Sequence, residues 1–174
     1  IKNASLVVLD TNLEESVLDY IVNSFSETRF LVDTVSTTKA TKIIPLLSKL
    51  FCIKPNKAEA EVLLGMDIKD NLDILSALQL FNKLGIIQPM ITLGKKGVAY
   101  LEDGKLLIIP ASTTTIVNAN GAGDAFTAGI TYGFYHDKLI SEAIKIGNTA
   151  AKIALESEKT VNPNMTIYSI LKML

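Results

Sequence analysis

Cys52 is the only cysteine in this 174-residue chain, so no disulfide framework can form within it and a reducing cytoplasm is the expected location. It sits in the apolar run Leu50, Phe51, Cys52, Ile53, the setting of a buried strand residue rather than of a catalytic thiol. Histidine is equally scarce. His136 stands alone near an expected helix end and reads as a surface residue. An excess of one charge is also lacking: the net charge is −1, which offers nucleic acid or an anionic membrane nothing to bind electrostatically. No apolar run approaches the ~20 residues of a transmembrane helix, and no secretory signal opens the chain. There is no initiator Met either; the sequence starts at Ile1 and enters a strand-like run at 5–9, as a piece cut from a longer polypeptide would. No repeat, low-complexity tract or linker divides it, so residues 1–174 are expected to form a single α/β domain.

What is present is alternation. Short apolar runs at 5–9, 29–32, 51–54 and 90–93 read as strands. Between them lie helix-length segments at 13–25, 38–50, 57–64 and 71–84. The first carries an expected buried stripe of Val17, Tyr20, Ile21 and Ser24, and the second is interrupted at Pro45. Gly65 and Gly85 stop the other two. Such β-α repetition with doubly buried strands predicts a mainly parallel sheet covered by helices on both faces. The period then changes: 97–101 and 106–109, joined by Glu102, Asp103 and Gly104, read as an antiparallel hairpin. A strand-like run at 115–117 and helices at 122–135, 140–156 and 166–174 complete the chain.

The most telling stretch is Asn-Ala-Asn-Gly-Ala-Gly-Asp-Ala-Phe-Thr-Ala-Gly at 118–129. Its first two glycines free the backbone to turn N–H groups toward an anion, and the helix start behind them adds positive partial charge. Asp124 places a carboxylate among those groups, a device suited to deprotonating a hydroxyl while a phosphoryl group is handed to it. The competing reading is an ordinary helix start with an acid in its first turn. Two other phosphate motifs are excluded: a dinucleotide fingerprint needs glycine where Phe126 stands, and no stretch supplies a Walker A loop.

Three further loops sit at expected strand ends, where ligands of such sheets bind. Thr92-Leu93-Gly94-Lys95-Lys96-Gly97 suits a turn passing close to nucleotide phosphates, or a plain β-turn with solvated lysines. In Lys54-Pro55-Asn56-Lys57-Ala58-Glu59, Asn56 and Glu59 have the spacing of a capping box, and Glu59 is also placed to hold a Mg²⁺ shell through water. Asp33-Thr34-Val35-Ser36-Thr37-Thr38-Lys39 is rich in hydroxyls and either caps the next helix or contacts substrate or phosphate. Asn148, within Gly147-Asn148-Thr149-Ala150-Ala151, serves close helix packing, with an adenine-pocket wall as the alternative.

In order, K-P-N-x-x-E at 54–59, T-L-G-x-x-G at 92–97 and G-A-G-D at 121–124 resemble the C-terminal portion of a PfkB (ribokinase-like) carbohydrate kinase, over essentially the whole chain. The segments at 32–42 and 158–164 resemble the branch that phosphorylates the 5′-hydroxyl of pseudouridine more than ribokinases or fructokinases. The resemblance implies a three-layer α/β/α sandwich with a mainly parallel sheet, lacking here the family's N-terminal part and lid. It implies ATP and Mg²⁺ as cofactors and a small nucleoside or sugar as acceptor. It makes Asp124 the general base and the N–H groups of Gly121, Ala122 and Gly123 the anion hole. Asn56 and Glu59 would organise Mg²⁺ and phosphates, Thr92, Gly94 and Gly97 the nucleotide, and Asn148 the adenine. One departure stands out: many members carry Asp where this chain has Asn118, so the family's monovalent-cation site loses its carboxylate. Without the N-terminal strands the sheet is expected to expose an edge or an apolar face for a partner, or a second copy in a homodimer, to cover. Other family acceptors, and an idle nucleotide-binding fragment, are the competing functions.

Overall fold

Six strands hydrogen-bond in the order in which the chain makes them. In the computed structural model, which describes residues 1–174, β1 (Leu6–Asp10), β2 (Arg29–Asp33), β3 (Cys52–Ile53) and β4 (Gln88–Thr92) run parallel. Leu6 pairs with Arg29 and Asp10 with Asp33, which brings the carboxyl ends of β1 and β2 level. Phe30, Leu31 and Val32 are all buried, as both faces of a covered parallel strand require. β5 (Val98–Glu102) returns antiparallel to β4 and is followed by β6 (Lys105–Ile109). The two-residue turn between β5 and β6 has positive φ at both Asp103 and Gly104, matching the twist of a tight hairpin.

The chain divides into two compact units, one of residues 1–94 with 98–108, the other of residues 95–97 with 109–174. The first holds the sheet, α1 (Glu15–Ser24), α2 (Thr37–Ala40), a nine-residue 3₁₀ helix (Thr41–Lys49), α3 (Lys57–Leu64) and α4 (Asn71–Lys83). Its core gathers Leu18, Phe30, Ile43, Ile53, Leu78, Phe81 and Ile91.

Two local expectations change here. The buried stripe of α1 is Leu18 and Val22, with Ile21 and Phe25 partly buried, while Val17 (40%) and Tyr20 (67%) are exposed. Both stripes satisfy helical periodicity; the observed one offers four apolar side chains, whereas the expected one ends on Ser24. The helix expected at 38–50 is instead a single α-turn followed by the 3₁₀ helix, with Pro45 inside it. Proline lacks the N–H and crowds the carbonyl four residues back, so a continuous α-helix is disfavoured through this segment.

In the second unit α5 (Ala122–Tyr135) packs against α6 (Ile140–Leu155), and α7 (Ile167–Lys172) follows. The α5–α6 contact is close because the crossing point carries no side chains: a Cβ on Gly129 would stand 2.6 Å from the Gly147 Cα. The expected strand at 115–117 does not form. Ile116 (51%) and Val117 (54%) are exposed, and the N–H groups of Val117 and Asn118 both donate to the Leu155 carbonyl, at 2.8 and 3.2 Å. Three apolar residues made a strand-like pattern, but the end of α6 supplies their hydrogen-bond partner.

Candidate functional site

In the first unit the carboxyl ends of β2, β3 and β4 carry a connected polar cluster. Asn56 is the N-cap of α3; its Oδ1 accepts from the Glu59 N–H at 3.0 Å. Glu59 Oε2 in return accepts from the Asn56 N–H at 2.9 Å, completing the expected capping box. The same oxygen accepts from the Thr34 hydroxyl at 2.5 Å, and the Thr34 carbonyl accepts from the Thr11 hydroxyl at 2.7 Å. Glu59 is 5% exposed, and a carboxylate this buried is tolerated because donors surround it. Its Oε1 carries no such bond, yet no buried side-chain oxygen is left unpartnered, so Oε1 opens to solvent. Beside this cluster the Lys54 ammonium pairs with the Asp33 carboxylate at 3.0 Å.

Thr92 joins the cluster from β4: its N–H donates to the Pro55 carbonyl at 2.9 Å, and Asn56 and Thr92 form a parallel bridge. Two motifs separated in sequence therefore meet along one sheet edge. Gly94, with φ +58°, starts the short 3₁₀ turn Gly94–Lys96. Ser36 caps α2 by accepting from the Lys39 N–H at 3.3 Å, one of the two roles the sequence left open for that loop. Cys52 is fully buried, and burial pushes its thiol well above the usual range, which the Lys54 charge only partly offsets. It is a packing residue.

In the second unit Gly121 is the N-cap of α5 with φ +81°. A side chain there would be strained and would run into the Thr160 carbonyl oxygen. Gly121 has no capping side chain, so the N–H groups of the first turn are left for another acceptor. Gly123 and Asp124 are exposed in that turn. Asn118 precedes it: its Oδ1 accepts from the Asn120 N–H at 2.9 Å and its Nδ2 donates to the Glu158 carbonyl at 3.1 Å. Asn148, largely buried, donates to the Pro110 carbonyl at 3.1 Å. Gly97, with φ +101°, leaves no room for a side chain beside Ile109 and Pro110. Gly97 and Asn148 thus serve the same stretch of backbone. His136 caps the end of α5, exposed and against the rings of Tyr132 and Tyr135.

The structure brings Asn56, Glu59, Thr92 and Gly94 into one unit and Gly97, Gly121, Ala122, Gly123, Asp124 and Asn148 into the other. Sequence reasoning missed Thr34 as the partner of Glu59. The hydroxyl-rich run after β2 was the available signal, but nothing in it names an acid 25 residues away.

The first unit carries polar loops at the carboxyl ends of a mostly parallel sheet, the second a glycine-capped helix with an exposed acid in its first turn, and together they define a protein of the α/β class. Residues 3–167 match the family described as pfkB family carbohydrate kinase, and the chain belongs to that family. Pseudouridine kinase of Escherichia coli (strain K12) is 27% identical over 175 residues, covering 100% of this chain and 56% of that protein. A solved structure from Clostridium perfringens is 33% identical with TM-score 0.93, covering 99% of this chain and 54% of the other. Arabidopsis thaliana ribokinase complexed with ribose and ATP gives 25% identity and TM-score 0.87, covering 99% and 56%. The chain therefore spans about half the length of these relatives. Its fold class is theirs, the ribokinase-like α/β sandwich with a mostly parallel sheet. No helix is long and apolar enough to cross a membrane.

Proposed function

We propose that residues 1–174 are the nucleotide-handling and phosphoryl-transferring portion of a cytoplasmic, ATP-dependent kinase whose acceptor is the 5′-hydroxyl of pseudouridine. The observation that carries this reading is the start of α5, where a glycine N-cap leaves first-turn N–H groups free beside an exposed Asp124. In the proposed reaction Asp124 would take the proton of the acceptor hydroxyl as that oxygen bonds to the γ-phosphorus of ATP and the bond from this phosphorus to the β,γ-bridging oxygen breaks, releasing ADP. The N–H groups of Gly121, Ala122 and Gly123 hold the equatorial oxygens of the transferring group. Thr92, Gly94 and Gly97 contact the nucleotide, with Asn148 toward the adenine. Similarity to pseudouridine kinase over the whole chain supports this acceptor.

The donor set decides which ions fit. No three His, Cys, Asp or Glu side chains converge to hold a metal by themselves. One carboxylate with an outward oxygen, Glu59, fits a Mg²⁺ that keeps its waters and the ATP phosphates as its other ligands. Asn56 keeps Glu59 in place. When bound, Mg²⁺ would neutralise charge on the phosphate oxygens. A monovalent cation does not fit in the same way, because position 118 presents an amide that donates to the Glu158 carbonyl.

The test is phosphorylation by ATP of pseudouridine, ribose, fructose and adenosine, analysed by product mass, alongside calorimetry with ATP. Pseudouridine 5′-phosphate as the main product is expected. Preference for another acceptor overturns the substrate assignment. ATP binding without transfer to any of the four replaces the reading with an idle nucleotide-binding unit.

A further inference from the structure

We propose that Asn118 is a positioning residue whose amide clips the turn leading into Gly121–Asp124 to the segment after α6, a junction that a carboxylate there would close only with a cation. The consequence for turnover rests on reading that turn as the phosphoryl-transfer centre; the clip itself does not.

Each end of the Asn118 amide is assigned by its partner. The Asn120 N–H can only donate, so it faces Oδ1 at 2.9 Å. The Glu158 carbonyl can only accept, so it faces Nδ2 at 3.1 Å. A flipped amide would set two donors together at one end and two acceptors at the other. The segment it reaches also flanks the N-cap, since the Thr160 carbonyl occupies the space a Gly121 side chain would need. The backbone N–H of Asn118 is itself held, by the Leu155 carbonyl at 3.2 Å. Asn118 thus has three hydrogen bonds fixing the three residues that precede the N-cap.

Asn118→Asp keeps the side-chain shape and the bond from Asn120 but turns Nδ2 into a second oxygen. Two oxygens then face each other where a donor met an acceptor, and the new one carries charge. A monovalent cation ligated by both would reverse the repulsion. The amide makes that ion unnecessary, so the present chain is indifferent to K⁺.

The experiment compares the protein with Asn118→Asp and Asn118→Ala in KCl and in choline chloride at equal ionic strength, reading Tm and ATP-dependent turnover. The unmodified protein is expected to give the same Tm in both salts. Asn118→Asp should melt roughly 2–4 °C lower in choline chloride, as loss of about one net hydrogen bond implies for a chain of this size, and recover in KCl. Asn118→Ala should fall similarly and show no recovery. Turnover of Asn118→Asp should drop about fivefold in choline chloride, the same loss expressed as a barrier, and return with K⁺. A K⁺ response in the unmodified protein overturns the proposal. So does an Asn118→Asp variant that behaves alike in both salts. If no acceptor is phosphorylated by any form, the functional reading fails while the Tm comparison still decides the clip.

Discussion

Glu59 and Asp124 occupy the same place in their helices, the third residue after the N-cap, yet they are treated in opposite ways. Glu59 follows an asparagine N-cap, reaches back to its N–H, takes the Thr34 hydroxyl on the same oxygen, and is buried. Asp124 follows a glycine N-cap that offers no side chain for a capping box, and it stays exposed. In α3 the Glu59 N–H is consumed by Asn56 Oδ1; in α5 no side chain takes the equivalent groups. The N-cap residue therefore decides whether an acid at this position is a structural brace or a group free to react. It also decides whether the first-turn N–H groups find an acceptor on the N-cap side chain, as in α3, or do not, as in α5.

Breaking the contrast from the α5 side should have the largest effect on stability. Gly121→Ala places a Cβ at positive φ and against the Thr160 carbonyl, so unfolding free energy should fall by about 2–3 kcal/mol, measured by urea denaturation. From the α3 side, Thr34→Val removes a buried hydroxyl donor from Glu59 without changing side-chain shape. A loss of about 1–3 kcal/mol is expected, with Thr34→Ser restoring most of it. The ratio of these two losses sharpens the comparison, since the first variant blocks an open helix start and the second loosens a closed one.

A smaller effect concerns Cys52, buried in β3 two residues before Lys54, which pairs with Asp33 at the end of β2. Its folded-state pKa lies above the ordinary value of 9.0 because burial disfavours the thiolate. The native state thus retains a proton that the unfolded chain loses. The stabilisation is complete below about pH 9 and is lost as pH rises beyond it, with a slope of up to ~1.4 kcal/mol per pH unit. Cys52→Ala should show a correspondingly shallower decline of stability between pH 9 and 10 than the unmodified protein, whatever its starting stability.

The extent of α5, 122–135, and of α3, 57–64, was legible in the sequence because their ends are marked chemically, by Gly121 and by Asn56 with Gly65. The parallel order of the first four strands was legible from the alternation of short apolar runs with helix-length segments. The 115–117 run was not, since three apolar residues say nothing about whether a strand edge is available beside them. The stripe of α1 was misplaced by one residue because two registers satisfy the same period. Contacts distant in sequence were least legible of all. Thr34 with Glu59 and Asn118 with Glu158 join residues 25 and 40 positions apart, and only the fold brings them together.

The most direct measurement is ATP-dependent phosphorylation of pseudouridine by Asp124→Asn beside the unmodified protein, with Tm recorded for both. An exposed acid without a capping role should be dispensable for folding, so Tm should stay within about 2 °C, the range of an ordinary surface substitution. As general base it should be needed for transfer, and kcat should fall by at least ~10²-fold. Unchanged turnover, or a loss of turnover that merely follows a loss of stability, would contradict the assignment of Asp124 as the reacting acid.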